Sequence, residues 1–370
     1  MTKKILFVVN VDWFFISHRL PLALEALKRG YEVHIACGII DKKEYLESLG
    51  FTVHPLSLSR SGTGIKGEIK AFFEIYKILK EINPQIAHFV TIKPVLYGGI
   101  ASRLLHIGKK VFSISGLGFI FIKQGFKASL VRIAIKTMYK VALGGKNSYV
   151  IVQNPDDKLV VSSIVKVPIS LIRGSGVDLS QYKYIKENSE NIKVSMACRL
   201  LRDKGVFEYI EAAKILKQKL PNVEFELYGD IDIHNPASLA TTDIENIKKD
   251  GFVNVYGFSS DIAKVFSATN IVVLPSYREG LPKVLIEAAT CGRAVVTTDV
   301  PGCRDAIEPN VTGLLCEVKD SKSLASMIEK LIIDKELRNK MGKAGRELAI
   351  KEFDIKKVVE KHFEIYEGKL

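Results

Sequence analysis

The sequence predicts an α/β fold with two doubly wound parallel sheets. Short apolar runs alternate with segments of 3.6-residue periodicity from the start of the chain, which is the pattern of parallel strands connected by helices. The alternation breaks off in a polar stretch that ends at residue 191, and it restarts at residue 193. A chain of 370 residues is also long enough for two domains with a core each.

The apolar runs locate the strands on either side of this break. We therefore expect two Rossmann-like domains, over residues 1–175 and 176–353, with a cleft between them and a periodic helical tail over residues 354–370. Ligands of such sheets bind at the carboxyl ends of the strands. The strands are predicted at residues 5–9, 33–37, 52–56, 86–90, 110–114 and 149–152, and then at 193–197, 224–227, 253–256, 271–274, 294–297 and 313–316.

Composition favours a folded protein of the cytosol. Hydrophobic residues make up 47% of the chain, yet no apolar run reaches the roughly 18 residues that a membrane span needs. The start, Met1-Thr2-Lys3-Lys4, leads directly into a strand, without a signal peptide of the usual form. The five cysteines are odd in number and lack Cys-x-x-Cys spacing, so we expect them to be reduced and mostly buried.

The charge is concentrated in the first part of the chain. Residues 1–150 contain 22 Lys and Arg against 9 Asp and Glu, whereas residues 151–370 contain 32 of each kind. The whole net charge of +13 therefore belongs to the N-terminal part. This asymmetry predicts an anionic partner for that part.

Two glutamates, Glu279 and Glu287, frame the most informative segment. It follows the predicted strand at 271–274 and reads as a strand, a turn at Gly280 and a helix, with Glu279 at the turn and Glu287 two turns inside the helix. A rise of about 1.5 Å per residue separates the carboxylates by roughly 12 Å along the axis. The helix N-terminus between them suits a phosphate. One site could hold a sugar, a diphosphate and a ribose in that order.

This segment resembles the paired-glutamate motif of the retaining GT-B glycosyltransferases (glycosyl transferases group 1, family 4). Arg199-Leu200-Leu201-Arg202-Asp203-Lys204-Gly205 resembles the Arg-x-x-x-x-Lys-Gly element of the same family. A further resemblance is to the subgroup that builds bacterial surface polysaccharides on a polyprenyl diphosphate carrier. It rests on Thr91-Ile92-Lys93-Pro94, Gly116-Leu117-Gly118, Gln153-Asn154-Pro155-Asp156-Asp157 and Gly174-Ser175-Gly176-Val177-Asp178, which follow one another in family order.

The resemblance implies a retaining, metal-independent hexosyltransferase with no cofactor. Its donor would be a UDP-sugar. The preferred candidate is UDP-N-acetylgalactosamine or another UDP-N-acetylhexosamine. Its acceptor would be a polyprenyl-diphosphate-linked saccharide in O-antigen, capsule or related glycan synthesis. The first domain would bind the acceptor, the second domain would bind the donor, and the C-terminal helix would cross back to the first domain.

Three residues are predicted to be catalytic. Glu279 would hold hydroxyls of the donor sugar and face the anomeric carbon. Arg199 and Lys204 would place positive charge where the diphosphate leaves, which lowers the barrier because negative charge develops there. The acceptor hydroxyl would lose its proton to the departing phosphate, without a protein nucleophile.

Donor binding is assigned to the same turn and to a second glycine turn. Glu287 would accept hydrogen bonds from ribose hydroxyls. The amides of Leu281 and Lys283, beside Gly280, would meet the phosphate, because Pro282 has no N–H. In the first domain the resemblance adds Gly116 and Gly118 to the donor side. On the acceptor side we expect Asp12, His18, Arg19 and Lys93, which follow the first and fourth strands.

Two predicted helices account for the excess of positive charge. Lys66, Lys70, Lys77 and Lys80 fall within about 80° of one another on a helical wheel, and we expect apolar residues opposite them. These stripes are either solvated faces or a surface that docks on the inner face of the cytoplasmic membrane. The apolar set is Ile69, Phe72, Phe73, Tyr76 and Leu79, and the second stripe is Arg132, Lys136 and Lys140, preceded by Phe119-Ile120-Phe121-Ile122.

Some motifs point elsewhere. Gly62-Thr63-Gly64-Ile65-Lys66-Gly67 matches the dinucleotide fingerprint, but it follows the third strand rather than the first, so we expect a glycine loop. Asp230-Ile231-Asp232 mimics a metal-binding Asp-x-Asp site but follows a strand of the second domain, so we expect a solvated loop.

Two other functions remain as alternatives. A nucleotide-sugar epimerase of the same fold would need carboxylate acid/base partners and no acceptor. A nucleic-acid-binding module is suggested only by the isoelectric point near 9.3. The basic helices lack the interleaved aromatic residues that stack on bases, so we expect no nucleic-acid partner.

Overall fold

The computed structural model describes residues 2–58, 64–117, 126–187, 191–233 and 235–369. The chain divides into two compact units. One comprises Met1–Ser175 together with Lys357–Leu370, and the other comprises Gly176–Lys356. Each unit contains one parallel sheet with helices around it, which confirms the predicted fold class.

The sheet of the first unit has seven strands within the described residues, in the order β3-β2-β1-β4-β5-β6-β7. The strands are β1 (Lys4–Val11), β2 (Glu32–Gly38), β3 (Thr52–Pro55), β4 (Ile86–Val90), β5 (Lys109–Ile114), β6 (Ser148–Val152) and β7 (Ile169–Leu171). The helices are α1 (Asp12–His18), α2 (Leu20–Lys28), α3 (Lys43–Ser48), α4 (Ile65–Ile82), α5 (Ile92–Leu104), α6 (Phe126–Leu143) and α7 (Pro155–Ile164).

Burial on both faces explains why the strands of this sheet were visible in the sequence. The residues of β1 from Ile5 to Val9 are fully buried, as expected for a parallel strand that helices cover on both sides. β7 was missed. It has three residues of intermediate burial at the edge of the sheet, so it has no apolar run to reveal it.

The sheet of the second unit has six described strands in the order β10-β9-β8-β11-β12-β13. The strands are β8 (Lys193–Ala197), β9 (Glu224–Tyr228), β10 (Asn254–Gly257), β11 (Ile271–Leu274), β12 (Ala294–Thr298) and β13 (Gly313–Cys316). The helices are α8 (Val206–Lys217), α9 (Thr241–Asp250), α10 (Ile262–Ser267), α11 (Lys283–Thr290), α12 (Ser321–Ile333) and α13 (Lys335–Leu348). The last helix, α14 (Ile355–Glu367), begins at the end of this unit, and from Lys357 onward it belongs to the first unit.

The strand order fixes where a ligand can bind in this unit. β8 pairs directly with β11, and the chain builds outward from these two strands in opposite directions. The carboxyl ends of two strands at such a switch point leave a crevice between the loops that follow them. The loops after β8 and β11 contain the residues singled out from the sequence.

Helix α14 packs within the first unit through a buried polar cluster. His88 Nδ1 lies 2.6 Å from Tyr366 Oη, and His88 Nε2 lies 2.7 Å from Ser113 Oγ. Lys109 Nζ donates to the carbonyl of Tyr366 at 2.9 Å. Burial lowers the pKa of His88 well below its usual range and lowers that of His362 to about 3. These histidines are therefore neutral groups of the interior.

Two further properties bear on the expectations above. All five cysteines are free, and four of them are buried. Among the helices of the described ranges, none has both the length and the apolar character that a membrane span requires.

Candidate active site

The loop that follows β8 packs directly against the end of β11. Lys204 closes a short 3₁₀ turn, Arg202–Lys204, and Gly205 follows it with φ of 76°. A Cβ on Gly205 would lie 2.2 Å from the carbonyl oxygen of Pro275, the residue after β11. Only glycine permits this approach, and the approach brings Lys204 to the residues that follow β11.

Glu279 is the centre of the site. Its Oε1 accepts hydrogen bonds from Lys204 Nζ and from Ser276 Oγ, the latter at 2.7 Å. Ser276 is fully buried, so its hydroxyl is a fixed donor. The glutamate predicted to hold the sugar and the lysine predicted to face the leaving group therefore form an ion pair.

Lys204 keeps its positive charge in this setting. Burial lowers the pKa of Lys204, but the charge of Glu279 and its hydrogen bond outweigh burial, and the net pKa is raised. The ammonium group is thus available to an anionic ligand without a change of protonation.

Arg199 is also paired with a carboxylate. Its Nη1 donates to Asp232 Oδ2 at 3.0 Å. Asp232 belongs to Asp230-Ile231-Asp232, where we predicted a solvated loop. That prediction is wrong for Asp232, since only 13% of its side chain is exposed and it contacts Arg199.

Glu287 lies closer to the start of its helix than the sequence suggested. α11 begins at Lys283, so Glu287 is just over one turn inside it rather than two. The side chain is only 10% exposed. Its Oε1 accepts a hydrogen bond from Tyr182 Oη at 2.7 Å and lies 3.4 Å from Lys283 Nζ.

The turn between the two glutamates packs against the backbone at Gly302. Pro282 is the N-cap residue of α11, and Lys283 is the first helical residue. Proline suits this position because it has no N–H that would need a partner. Gly302 has φ of 82°, and a Cβ there would lie 2.5 Å from the carbonyl oxygen of Gly280 and 2.6 Å from that of Glu279. Gly302 therefore supports the turn by direct backbone contact.

The two glutamates share one arrangement. Neighbouring side chains hold Oε1 of Glu279 and Oε1 of Glu287. Among the described residues, no donor contacts the second oxygen of either carboxylate. Each glutamate therefore has one oxygen that fixes its position and one that can accept hydroxyl groups of a ligand.

The glycine turn predicted for the first unit is only partly described. Gly116 follows β5 with φ of 118°, a conformation that favours glycine. The next amide, of Leu117, donates to Asp157 Oδ1 at 3.1 Å. Gly118 and Phe119-Ile120-Phe121-Ile122 lie outside the described residues. The donor role of this turn stays a prediction.

Asp12, predicted on the acceptor side, is a buried residue of the first unit. Its Oδ1 accepts the backbone N–H of Trp13 at 2.8 Å. Its Oδ2 accepts those of Ile40, Asp41 and Lys42 at 2.8, 3.2 and 3.1 Å. The carboxylate organises the loop after β2, and its acceptor role stays a prediction that these contacts do not favour.

The other acceptor-side residues also have protein contacts in the first unit. His18 stacks on Phe14 with ring centroids 4.1 Å apart. Arg19 is buried, its Nη1 donates to the His18 carbonyl at 2.8 Å, and burial lowers its pKa to about 10. Lys93 Nζ forms an ion pair with Glu68 at 2.6 Å. Their acceptor roles likewise stay predictions.

Sequence reasoning missed four residues of this site. Ser276 stands next to the paired-glutamate segment and could have been found from its position. Asp232 was noticed for its pattern, but nothing local indicated Arg199 as its partner. Tyr182 and Gly302 are separated from the glutamates along the chain, and only the tertiary structure reveals their contacts.

Comparison with known proteins agrees with this geometry. Residues 4–154 match the family model "Glycosyl transferase 4-like", and residues 181–348 match "Glycosyl transferases group 1". A Campylobacter jejuni protein is 31% identical over 95% of this chain and 97% of its own length. The chain belongs to the group 1 glycosyltransferases. The relative is named N,N'-diacetylbacillosaminyl-diphospho-undecaprenol alpha-1,3-N-acetylgalactosaminyltransferase.

More distant relatives of this glycosyltransferase share its extent or its fold. An Escherichia coli protein named UDP-Gal:alpha-D-GlcNAc-diphosphoundecaprenol alpha-1,3-galactosyltransferase is 25% identical over 81% of this chain and 79% of its own length. The solved structure of Anabaena HepE, in complex with UDP and glucose, superposes with a TM-score of 0.78. It covers 99% of this chain and 100% of HepE at 20% identity, which establishes the shared fold.

Substitution of Gly302 tests its support of the turn between Glu279 and Glu287. Gly302→Ala should lower the sugar-transfer rate about tenfold or more, because the new Cβ must displace the backbone of Glu279 and Gly280. Gly251→Ala is the matched control, since Gly251 has φ of 71° but nothing within 4 Å of a Cβ. Both variants carry a left-handed backbone penalty of about 1–2 kcal/mol, measurable as a loss of unfolding free energy. Equal transfer rates in the two variants would contradict the supporting role.

Proposed function

We propose that this glycosyltransferase transfers an N-acetylhexosamine from its UDP derivative to a polyprenyl-diphosphate-linked saccharide. N-acetylgalactosamine is the preferred candidate for the sugar. The observation that supports this is the pair of half-engaged carboxylates, Glu279 and Glu287, on either side of a helix N-terminus. A nucleotide sugar offers hydroxyl groups at both ends and a diphosphate between them. The site has the same order: a carboxylate at Glu279, the N–H groups of the helix N-terminus, and a carboxylate at Glu287.

The diphosphate would be received by exchange of ion-pair partners. Lys204 and Arg199 are paired with Glu279 and Asp232 in the structure. A diphosphate that enters between the loops after β8 and β11 competes for both cations. The leaving group gains negative charge as the glycosidic bond breaks, so the cations stabilise the transition state more than the bound substrate.

We propose that the transfer proceeds with retention of configuration by attack on the same face of the sugar from which UDP departs. Glu279 would orient the sugar through its second oxygen. The acceptor hydroxyl would pass its proton to an oxygen of the departing phosphate as the new glycosidic bond forms. The charge balance of this step requires no metal ion, since Lys204, Arg199 and the N-terminus of α11 meet the diphosphate.

The choice of donor and acceptor rests on the relatives. The protein that is 31% identical over nearly the whole chain transfers N-acetylgalactosamine to an undecaprenol-diphosphate-linked sugar by its name. The Escherichia coli relative uses UDP-galactose and a diphosphoundecaprenol-linked acceptor by its name. Both acceptors are lipids, so an enzyme that uses one has to work at a membrane surface.

The first unit has a surface suited to that task. Lys66, Lys70 and Lys77 are exposed on α4, as predicted. Ile69 and Phe73, which we placed opposite the lysines, are 51% and 61% exposed, so that placement is wrong. The helical period explains the exposure of Phe73. This residue comes three positions after Lys70 and four before Lys77, so it lies on the same face of α4.

Helix α6 also exposes basic and apolar side chains together. On α6, Lys136 and Lys140 are exposed, and so are Ile133, Met138 and Val141. Basic residues near an anionic lipid surface and apolar side chains that enter the interface act together in peripheral membrane binding. We propose that these faces of α4 and α6 hold the enzyme on the inner face of the cytoplasmic membrane.

Transfer to a lipid-linked acceptor is the direct test of the activity. The protein, incubated with UDP-N-acetylgalactosamine and a short polyprenyl-diphosphate saccharide, should yield a product heavier by one N-acetylhexosamine. Ala at Glu279, Arg199 or Lys204 should each lower turnover by about 100-fold or more, as the loss of one preorganised donor does. Lys214→Ala, on the paired and remote Lys214 of α8, is the charge-matched control.

Two outcomes would contradict the proposal. Near-normal turnover in all three variants would exclude the assigned site. A change of sugar configuration in UDP-N-acetylgalactosamine without acceptor would indicate the epimerase alternative instead. Product stereochemistry, read from the anomeric coupling constant, tests retention separately.

Activity should survive an excess of chelator. The expectation follows from the cationic side chains and the helix N-terminus that would neutralise the diphosphate in place of a metal ion. The measurement is the transfer rate after treatment with EDTA, compared with the rate in added magnesium. A complete loss that magnesium or manganese restores would refute metal independence.

Membrane binding should depend on both components of the α4 surface. Lys66, Lys70, Lys77 and Lys80 changed together to Glu should release the protein from anionic vesicles, since each basic residue contributes about 1 kcal/mol near such a surface. Ile69 and Phe73 changed together to Ser should weaken binding in a manner that salt does not screen. Co-sedimentation over a salt series measures both effects.

The control for the lysine variant has the same charge change on the second unit. It replaces four exposed lysines there with Glu, namely Lys248, Lys249, Lys322 and Lys340. Equal binding of the wild type and the α4 variant to neutral and anionic vesicles would show that the lysine face is only solvated. UDP binding by the α4 variant should equal that of the wild type.

A further inference from the structure

Tyr182 connects the donor site to the segment that joins the two units. It lies shortly after Gly176, the first residue of the second unit, and is 7% exposed. Its hydroxyl donates to Glu287 Oε1 at 2.7 Å within the protein interior. Burial and the neighbouring Glu287 raise the pKa of Tyr182, so the hydroxyl keeps its proton and stays a donor.

The backbone of Tyr182 is tied to the helix that contains Glu287. Arg346 Nη1 donates to the carbonyl of Tyr182 at 2.7 Å and to the carbonyl of Thr290, at the end of α11, at 2.6 Å. One guanidinium group thus fixes the position of Tyr182 relative to α11. The tyrosine hydroxyl and the glutamate are held in register by a second, independent contact.

The chain before Tyr182 is anchored as firmly. Val177 N donates to the carbonyl of Phe353 at 2.8 Å, and Ile355 N donates to the carbonyl of Val177 at 3.1 Å. A Cβ on Gly176 would lie 2.8 Å from Cα of Ile355. The two segments at which the chain passes between the units are therefore bonded to each other, a few residues from Tyr182.

The chain after Tyr182 wraps the end of α11. A Cβ on Gly292 would lie 2.3 Å from the ring of Tyr184, so that ring rests on the glycine that follows α11. Arg293 Nη2 donates to the carbonyl of Ile185. Glu187 then forms a bidentate ion pair with Arg338, with both distances 2.8 Å. The stretch from Tyr182 to Ile185 therefore contacts α11 and the residues that directly follow it.

We propose that Tyr182 is a positioning residue that sets Glu287 for the donor ribose. With Oε1 occupied by the tyrosine, Oε2 would be left to accept hydrogen bonds from two neighbouring ribose hydroxyls. The inference rests on the proposed use of a UDP-sugar. It adds that recognition of the ribose depends on a residue of the joining segment, so a disturbance of that segment reaches the donor site through one hydrogen bond.

Ribose selectivity distinguishes this role from a merely structural one. Tyr182→Phe keeps the ring and removes the hydroxyl, so the Kd for UDP should rise about tenfold, equivalent to about 1.4 kcal/mol. The Kd for 2′,3′-dideoxyuridine diphosphate should stay unchanged, because that ligand has no hydroxyl for Glu287. Isothermal titration of both ligands gives the ratio directly. In transfer assays KM for the donor should rise while kcat changes little.

The control is Tyr184→Phe. Tyr184 belongs to the same segment, and its ring packs on Gly292. The residue is half exposed, and its hydroxyl makes no hydrogen bond to the part of the chain that the structure describes. The ratio of the two Kd values should equal the wild-type ratio in this variant. In the Glu287→Ala background, Tyr182→Phe should have no further effect on the ratio, because Ala has no oxygen to accept from Tyr182 and the two residues act through one contact.

The outcomes separate the two proposals. A wild type that prefers UDP to the dideoxy ligand, with the same preference in Tyr182→Phe, would overturn the role of Tyr182 and leave the proposed function intact. A wild type that binds neither ligand would overturn the donor assignment itself, and this inference with it. If Tyr182→Phe does not fold, Arg346→Lys should lower the preference for UDP, and an unchanged preference there would also overturn the inference.

Discussion

The proposed donor site depends on one close backbone contact, the approach of Gly205 to the carbonyl of Pro275. This contact sets the turn after β8 against the end of β11. It brings together Lys204 and Glu279, which are 75 positions apart in the sequence. A side chain at position 205 would push the turn away, and the lysine with it. The glycine of the Arg-x-x-x-x-Lys-Gly element is thus a condition for the ion pair and has no chemical role of its own.

The ion pair in turn decides what the site can accept. Burial lowers the pKa of Lys204, and the neighbouring carboxylate of Glu279 raises it by more, so the pair favours the charged lysine. Arg199 and Asp232 form a second ion pair, in which the arginine is more exposed than the carboxylate. A ligand that draws both cations away has to supply at least two negative oxygens and has to leave the displaced carboxylates with hydroxyl donors. A nucleotide sugar meets both requirements with its diphosphate, sugar and ribose.

The two units solve different physical problems. The second unit, Gly176–Lys356, contains 26 basic and 27 acidic residues, and it places the Lys204–Glu279 ion pair at the switch point between β8 and β11. The first unit has the whole excess of positive charge, and its helices α4 and α6 expose apolar side chains among their lysines. Isolated exposed apolar residues are common, but a row of them on one helical face beside basic residues suits a lipid interface. The separation lets donor chemistry and acceptor location be tested by different substitutions.

The sequence by itself determined the parallel strands of both sheets except β7, the turn that contains Glu279 and the cations that precede α8. These features are local, because a buried parallel strand is a continuous apolar run and a turn needs its glycine at a fixed place. The tertiary structure alone decided that Lys204 pairs with Glu279, that Asp232 holds Arg199 and that Tyr182 holds Glu287. It also placed Asp12 and Arg19 in the interior. The reason is that partner choice depends on contacts between distant segments, and neither the periodicity nor the composition of a segment records which distant residue will lie beside it.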